Sequence, residues 1–398
     1  MKICYLNYYN PLTLHGGAER VVLREAKLVA QNGNDVVIIT TYSGKNVRTE
    51  KLSDGKIRMW FLPSMRFKSS SFIQKCMDLV LSLYNPFLIG LVDQILQIEK
   101  PDIVHIHNHG AMSINVVNVA KRHGCSVVQT FHGYNFECPK GSLYRRSGAA
   151  CINPLTVCKI YKQFFRNSVQ GYSSIIALNS FVRDRLMKAG YDPIKIDVIP
   201  NSLQESHTTF LSRPRNKEIL FVGRMVKAKG VHILINALAE VKKTYNGEFI
   251  ANLIGDGEDR AYFESQARSL GVDINFLGNV SDRVLHKHYK KAYAVVVPSL
   301  FPELFPVVVL EAMSHGKPVI ASNIGGLQDL ALHGKTGLLF EPANVNALAS
   351  CIKTLLTEEE LAFEMGHNAL EMLPKFSDTN HLEKLLCLYN KVLLPKGL

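Results

Sequence analysis

The chain has 398 residues, 47% hydrophobic and 20% charged, a balance that excludes disorder, a collagen-like repeat and a coiled coil. At roughly 100–200 residues per domain, this length suggests two or three domains. The net charge of +12 is uneven: residues 1–200 carry 25 Lys and Arg against 13 Asp and Glu, whereas residues 201–398 carry 21 of each. A basic half of this kind faces a polyanion, whether an anionic membrane, a phosphorylated acceptor or nucleic acid, unless it is simply a basic surface.

Strand-like apolar runs fall in the first half at Ile3–Asn7, Asp35–Thr41, Ile57–Leu62, Ile103–His107, Ser126–Phe131, Ile175–Leu178 and Ile196–Ile199. Helix-period segments lie between most of them, such as Ala18–Gln31, for which Gly33 is a stop signal. The second half restarts the pattern at Ile219–Val222, Phe249–Ile254, Ile274–Leu277, Ala294–Pro298, Val319–Ala321 and Gly337–Phe340. Near-continuous apolar strands alternating with helices predict buried parallel sheets, hence an α/β class with two doubly wound Rossmann-like domains. The polar stretch Pro200–Lys217 is the predicted joint. The expected division is residues 1–200, 201–374 and a last helix within 375–398. Open α/β sheets bind ligands outside the carboxyl ends of their strands, and two such domains face to face would make a cleft. No run of 18 apolar residues predicts a membrane-crossing helix. The first residues lack the apolar core and cleavage site of a signal peptide. Eight Cys, mostly in apolar segments, suit a reducing compartment.

Taken in chain order, the first candidate is His15–Arg20, HGGAER, where Gly16 and Gly17 open a helix and present N–H groups to an anion or sugar. It is not a dinucleotide fingerprint. The segment Arg66–Gln97 is helical in period, apolar and flanked by basic residues. It either lies in a membrane interface or packs on the sheet, and the basic charge favours the membrane. His132 ends a strand, so its side chain belongs at the ligand end of the sheet. Cys138, Cys151 and Cys158 follow it. They are candidates for a structural zinc, although a clear fourth ligand is missing. The alternative is a basic acceptor loop using Lys140, Arg145, Arg146 and Lys159.

In the second half, FVGRMVKAKG exits a strand through Gly223 and then carries Arg224 and Lys229. Two cations at a helix start are unfavourable unless an anion is near, and a diphosphate suits Arg's fork and Lys's point charge. Gly255 and Gly257, in GDGE, could bring backbone close to a ligand. Leu277 and Val280, in the FLGNVS segment, sit at a strand exit where the backbone could contact a base. The strongest signal is PSLFPELFPVVVLEAMSHGKPVIASNIGG at Pro298–Gly326. Here Phe305, Pro306 and Val307 mark a helix start fit for phosphate, with Pro306 in the first turn. Glu303 is placed to hydrogen-bond sugar hydroxyls, and Glu311 to accept both hydroxyls of a ribose.

Five of these motifs in this order, HGGAE at 15–19, FHG at 131–133, VGRMVKAKG at 222–230, GDGE at 255–258 and PELFPVVVLEAMSHGKPVIAS at 302–322, resemble those of the family 4 glycosyltransferases. The resemblance implies the GT-B fold, with the last helix, near Asp378–Val392, crossing back to the first domain. It implies a retaining transfer of a hexose from a nucleotide-diphosphate sugar of UDP or GDP type, without a metal or other cofactor. Arg224 and Lys229 would bind the diphosphate and stabilise the leaving group, Glu311 would hold the ribose, and Glu303 sugar hydroxyls. Gly16 and Gly17 would approach donor or acceptor, and His132 would contact the donor sugar. Some members carry a Cys-rich loop after the His132 strand that resembles a small metal site. Two departures stand out: Pro306 where Gly is common, and Gly133 where many members have an acid. The expected setting is the cytoplasmic face of the cell membrane, as a peripheral enzyme extending a lipid-linked glycan of a capsule or lipopolysaccharide. The rival readings are a nucleotide-sugar epimerase or hydrolase of the same fold, and a nucleic-acid-binding protein.

Overall fold

The computed structural model describes residues 1–13, 17–52, 55–64, 72–139, 141, 143–144, 151, 154–203 and 216–394, with side chains left out at 72–76, 78, 168 and 169. His15, Gly16, Lys140, Arg145 and Arg146 therefore lie outside the described residues, as does most of the 200–217 joint. The chain forms two compact units. One comprises Met1–Leu143, Ile152–Ser202 and Asp378–Leu398; the other comprises Tyr144–Cys151 and Leu203–Ser377.

The first unit is built on eight strands: β1 (Lys2–Asn7), β2 (Asp35–Tyr42), β3 (Arg48–Leu52), β4 (Ile57–Pro63), β5 (Ile103–Asn108), β6 (Ser126–Thr130), β7 (Ser174–Ala177) and β8 (Ile196–Val198). Their order is β3-β4-β2-β1-β5-β6-β7-β8. Every pairing is parallel except the hairpin of β3 with β4. β3, sequence RTEKL, is the strand that apolar pattern alone does not predict; it is an exposed, charged edge. The helices are α1 (Gly17–Gln31), α2 (Phe72–Leu83), α3 (Pro86–Glu99), α4 (Val116–Arg122), α5 (Thr156–Ser168) and α6 (Ser180–Lys188). α1 buries Val21, Val22, Ala26, Val29 and Ala30 along one face, and Gly33 ends it at φ 84°.

The described part of the helix-period segment Arg66–Gln97 forms two helices, α2 and α3. Asn85 caps α3 by accepting the Leu88 N–H at 3.1 Å, and Pro86 takes the first helical position. By length and composition Leu79–Glu99 is apolar enough to cross a membrane, with mean hydropathy 1.6, although its apolar run is interrupted. The break leaves α3 as 14 residues, about 21 Å of helix, against a hydrocarbon core of about 30 Å. Leu88, Val92, Ile95 and Leu96 of α3 are buried in the unit. Tyr84, Phe87 and Ile98 are exposed.

The second unit has a wholly parallel six-stranded sheet in the order β11-β10-β9-β12-β13-β14. These are β9 (Glu218–Val222), β10 (Ile250–Ile254), β11 (Ile274–Gly278), β12 (Ala292–Val297), β13 (Val319–Ser322) and β14 (Gly337–Phe340). The helices are α7 (Val231–Thr244), α8 (Arg260–Ser269), α9 (Asp282–Lys291), α10 (Val307–Ser314), α11 (Leu327–Leu330), α12 (Val345–Thr357) and α13 (Glu359–Met372). The last helix, α14 (Asp378–Leu393), belongs to the first unit, where Leu385, Leu388 and Tyr389 enter the core beside Ile3, Tyr5 and Val22. Both sheets are doubly wound, as the sequence predicts. Their strand order reverses between β1 and β5 in one unit, and between β9 and β12 in the other. Loops leaving such strand pairs diverge and leave a crevice at their carboxyl ends.

Candidate functional site

In the second unit the loops after β9 and β12 meet at that crevice. Gly230, at φ 72°, ends the β9 loop and starts α7. A Cβ there would lie 1.8 Å from the Pro298 carbonyl oxygen, so only glycine lets the two loops pack. The Leu300 N–H donates to the Ala228 carbonyl at 2.9 Å. This approach places Lys229 Nζ 2.7 Å from Glu303 Oε1, with the side chains 21% and 10% exposed. The Ser299 hydroxyl donates to the same carboxylate oxygen. Lys229 also stands 5.2 Å from the Phe301 ring centroid. Arg224 is exposed and has no ion pair among the described residues. One cation is thus held by Glu303 and the other is uncommitted.

α10 begins at Val307, one residue later than expected, and Pro306 is its N-cap rather than part of its first turn. No side chain caps α10; the Val309 N–H bonds the Pro306 carbonyl at 3.0 Å, which leaves the N–H groups of Val307 and Val308 for an acceptor. The proline at 306 thus takes no donor from inside the helix. Glu311, half-buried on α10, accepts a hydrogen bond from the Tyr289 hydroxyl at 2.7 Å. The Phe305 side chain is buried against Phe376, with ring centroids 6.1 Å apart. That leaves the backbone as the part of Phe305 able to meet a ligand. Val307 and Val280 are half-buried and Leu277 is exposed at the β11 exit.

The glycines at the neighbouring exits have a nearer partner than a ligand. A Cβ on Gly255, whose φ is 126°, would meet the Gly223 carbonyl oxygen at 1.9 Å, and one on Gly257 the Met225 oxygen at 2.4 Å. Gly223 N–H bonds Ile254 O at 3.0 Å, and Gly255 N–H bonds Gly278 O at 2.8 Å. The close approach is of the chain to itself, which holds the exits of β9, β10 and β11 in one row.

In the first unit a cavity lies at the ends of β5 and β6, lined by Ala18, His107, His109, Gln129, His132 and Asn135 among others. Gly17 starts α1 beside Ala18. His132 Nε2 lies 2.8 Å from His107 Nδ1, and the rings stack at 14° with centroids 5.1 Å apart. Burial holds the His132 pKa well below the usual imidazole value. His132 is therefore neutral at physiological pH. Behind the pair stand Glu25, His105, His381 and Tyr389, all buried. None of these, nor His107, was marked by sequence reading. The available signal was the alternation His105, His107, which puts both rings on one face of β5.

Cys138, Cys151 and Cys158 are half-buried free thiols. Among the described residues they form no cluster with metal-ligand spacing; Glu25, His105 and His107 do, with donor atoms within 4.8 Å of one another.

The sequence matches a known family. Residues 15–206 match the family model described as Glycosyltransferase Family 4, and residues 204–372 match Glycosyl transferases group 1. An uncharacterized glycosyltransferase of Methanocaldococcus jannaschii is 26% identical over 98% of this chain and 98% of its own length. The D-rhamnosyltransferase WbpZ of Pseudomonas aeruginosa is 37% identical over 38% of this chain and 39% of its own. The structure of Anabaena HepE in complex with UDP aligns with a TM-score of 0.72 at 20% identity, covering 98% of this chain and 100% of that one. Between them the two family models span residues 15–372, and the chain belongs to the family 4 glycosyltransferases, enzymes of the GT-B fold.

Proposed function

We propose that the protein is a retaining, metal-independent hexosyltransferase that moves a sugar from a nucleoside-diphosphate donor to a lipid-linked glycan acceptor in surface polysaccharide synthesis. The observation that carries this reading is the pairing of Lys229 with Glu303, beside the free Arg224 and the uncapped α10 start. A diphosphate needs two cations and open N–H groups, and an uncommitted guanidinium next to a lysine supplies them without a metal. Arg224 and Lys229 take the diphosphate, the α10 start a phosphate oxygen, and Glu311, oriented by Tyr289, the ribose hydroxyls. Glu303 takes hydroxyls of the transferred sugar. In the first unit, His132 takes a sugar hydroxyl, with Gly17 at the start of α1 near the same cavity. The acceptor oxygen bonds the anomeric carbon on the face from which the nucleotide departs. The acceptor proton passes to a departing phosphate oxygen, so no protein base is required. The named activity of WbpZ and the UDP held by HepE support sugar transfer from a nucleotide donor.

A membrane setting is supported by the basic first half and by α5. Val157, Ile160 and Phe164 are 48%, 54% and 57% exposed. They recur at helical spacing beside the exposed Lys159 and Arg166. An apolar stripe edged by cations suits an anionic interface, which supports a setting on the inner face of the cell membrane.

The deciding experiment is a thermal-shift panel with UDP, GDP, ADP and CDP, with and without EDTA. A ligand of the native state raises the melting temperature by mass action. The expected result is a shift with one nucleotide, unchanged by EDTA and lost in Glu311→Ala and Lys229→Ala. No shift with any nucleotide overturns the donor site; a shift abolished by EDTA overturns metal independence.

A further inference from the structure

We propose that Glu25 is a positioning residue that acts through His107 to fix the tautomer of His132, so that His132 offers the cavity a hydrogen-bond acceptor at Nδ1. The inference rests on the proposed transferase reading only for the identity of the ligand, a sugar hydroxyl.

The argument follows a line of buried atoms. Glu25, on α1, is 3% exposed and His107, on β5, is also 3% exposed. Glu25 Oε1 lies 3.4 Å from His107 Nε2 and 3.1 Å from His105 Nδ1. Neither His107 Nε2 nor Glu25 Oε1 makes a hydrogen bond among the described residues, so the 3.4 Å approach is a contact of charge with ring edge. The Glu25 carboxyl lies well below the usual carboxylate range despite its burial, and the imidazole facing its other oxygen, His381, is raised by that same carboxylate, so Glu25 is an anion. A ring lone pair aimed at a carboxylate is repulsive, whereas an N–H is attractive, so His107 carries its proton on Nε2. Its Nδ1 is then an acceptor, and the partner 2.8 Å away, His132 Nε2, is the donor. A neutral His132 with its proton on Nε2 keeps a lone pair on Nδ1.

The carboxylate's other oxygen is balanced elsewhere. Glu25 Oε2 lies 3.2 Å from His381 Nε2, and His381 Nδ1 bonds the Pro200 carbonyl at 2.8 Å. With both nitrogens facing acceptors and its pKa raised by Glu25, His381 is the cation that balances the carboxylate. A metal on Glu25, His105 and His107 is the competing use of the same atoms. It is disfavoured because both ring nitrogens of His105 are engaged, with Tyr389 Oη at 2.6 Å and Thr130 Oγ1 at 2.8 Å. Such a metal would take the Nε2 lone pair of His107, move its proton to Nδ1 and reverse the tautomer of His132.

The test is a long-range proton–nitrogen NMR spectrum of the full chain labelled at histidine, assigned with His132→Gln and His107→Gln. The expected spectrum has His132 and His107 each protonated on Nε2 and bare on Nδ1. In Glu25→Gln and His107→Phe, His132 should lose that preference, and Glu25→Asp should restore it. Turnover should separate the same way: Glu25→Gln raises KM for the nucleotide sugar roughly 2- to 10-fold, the worth of one hydrogen bond, with kcat nearly unchanged. His132 protonated on Nδ1 in the unaltered protein, an unmoved tautomer in both variants, or a stoichiometric metal in purified protein overturns the proposal. The wild-type spectrum requires no turnover, so failure of the transferase reading stays distinguishable from failure of this one.

Discussion

Arg24 and Asp378, 354 positions apart, form a two-pronged ion pair: Nε to Oδ1 at 2.6 Å and Nη2 to Oδ2 at 2.7 Å. The Ser202 hydroxyl joins Oδ1 at 2.7 Å. The pair ties α1 to the first turn of α14, whose Leu385, Leu388 and Tyr389 are at most 3% exposed. Arg24→Ala should cost about 1–2 kcal/mol, because the pair is half-buried and bidentate. Removing residues 378–398 should do far more. Three large side chains at about 1.5–3 kcal/mol each approach the whole stability of a domain. Circular dichroism and chemical denaturation of the two variants should give a shifted midpoint for the first and no cooperative first-unit transition for the second.

Lys229 and Glu303 should prove coupled in stability and in rate. Lys229→Ala leaves a mostly buried carboxylate without its cation and should cost about 2–3 kcal/mol. The double variant Lys229→Ala, Glu303→Gln should be less destabilised than Lys229→Ala alone. Either single change should lower kcat/KM by about 100-fold or more, the usual worth of one preorganised charge contact. A double-mutant cycle in melting temperature and turnover checks both; simple additivity would deny the coupling.

Glycine substitutions should separate loop packing from turn conformation. Gly255→Ala drives a Cβ to 1.9 Å from a carbonyl oxygen at φ 126°, whereas Gly334, at φ 74°, has open space around it. Gly255→Ala should cost at least about 2 kcal/mol and Gly334→Ala about 1 kcal/mol. Urea midpoints compare them directly.

Acid should destabilise the first unit through its buried histidines. Burial pushes His109 down to about 4. A depressed folded pKa means the unfolded chain takes up the proton first. The contribution is therefore complete above 6.5 and is lost as pH falls towards 4, by roughly 3 kcal/mol. His105, pushed down to about 4 mainly by burial and then by His107, acts in the same direction. Melting temperature measured from pH 7.5 to 4.5 should fall, and His109→Gln should flatten the slope.

The α5 stripe predicts a separable membrane defect. Val157, Ile160 and Phe164 changed together to Ser should leave the melting temperature almost unmoved, since exposed changes cost within about 0.5 kcal/mol each. Sedimentation with anionic vesicles should drop sharply, and wild-type binding should weaken with salt. Equal binding to neutral vesicles would remove the electrostatic part of the reading.

The alternation of apolar strands and helices made both sheets legible in the sequence, because parallel strands buried on both faces leave unmistakable runs such as Ala292–Val297. β3 escaped for the opposite reason: Arg48–Leu52 carries edge-strand charges and has no apolar face to read. The break before α3 was written in Asn85-Pro86, but the apolar residues on either side outweighed it. Arg224, Lys229, Glu303 and Glu311 could be singled out because each sits next to a strand exit or helix start. Glu25, His107 and His381 could not. Glu25 falls on the buried face of α1, where a carboxylate makes sense only once residues 82 and 356 positions away have folded against it.

The contribution of α14 to the first core also sets the order of events during synthesis. Residues 1–202 leave the ribosome first, yet Leu385, Leu388 and Tyr389 complete their core. At about 5–20 residues per second, the early sheet waits roughly 10–40 s for its last helix. Over that interval the second unit, which needs nothing after Ser377, is free to finish folding ahead of the segment made before it.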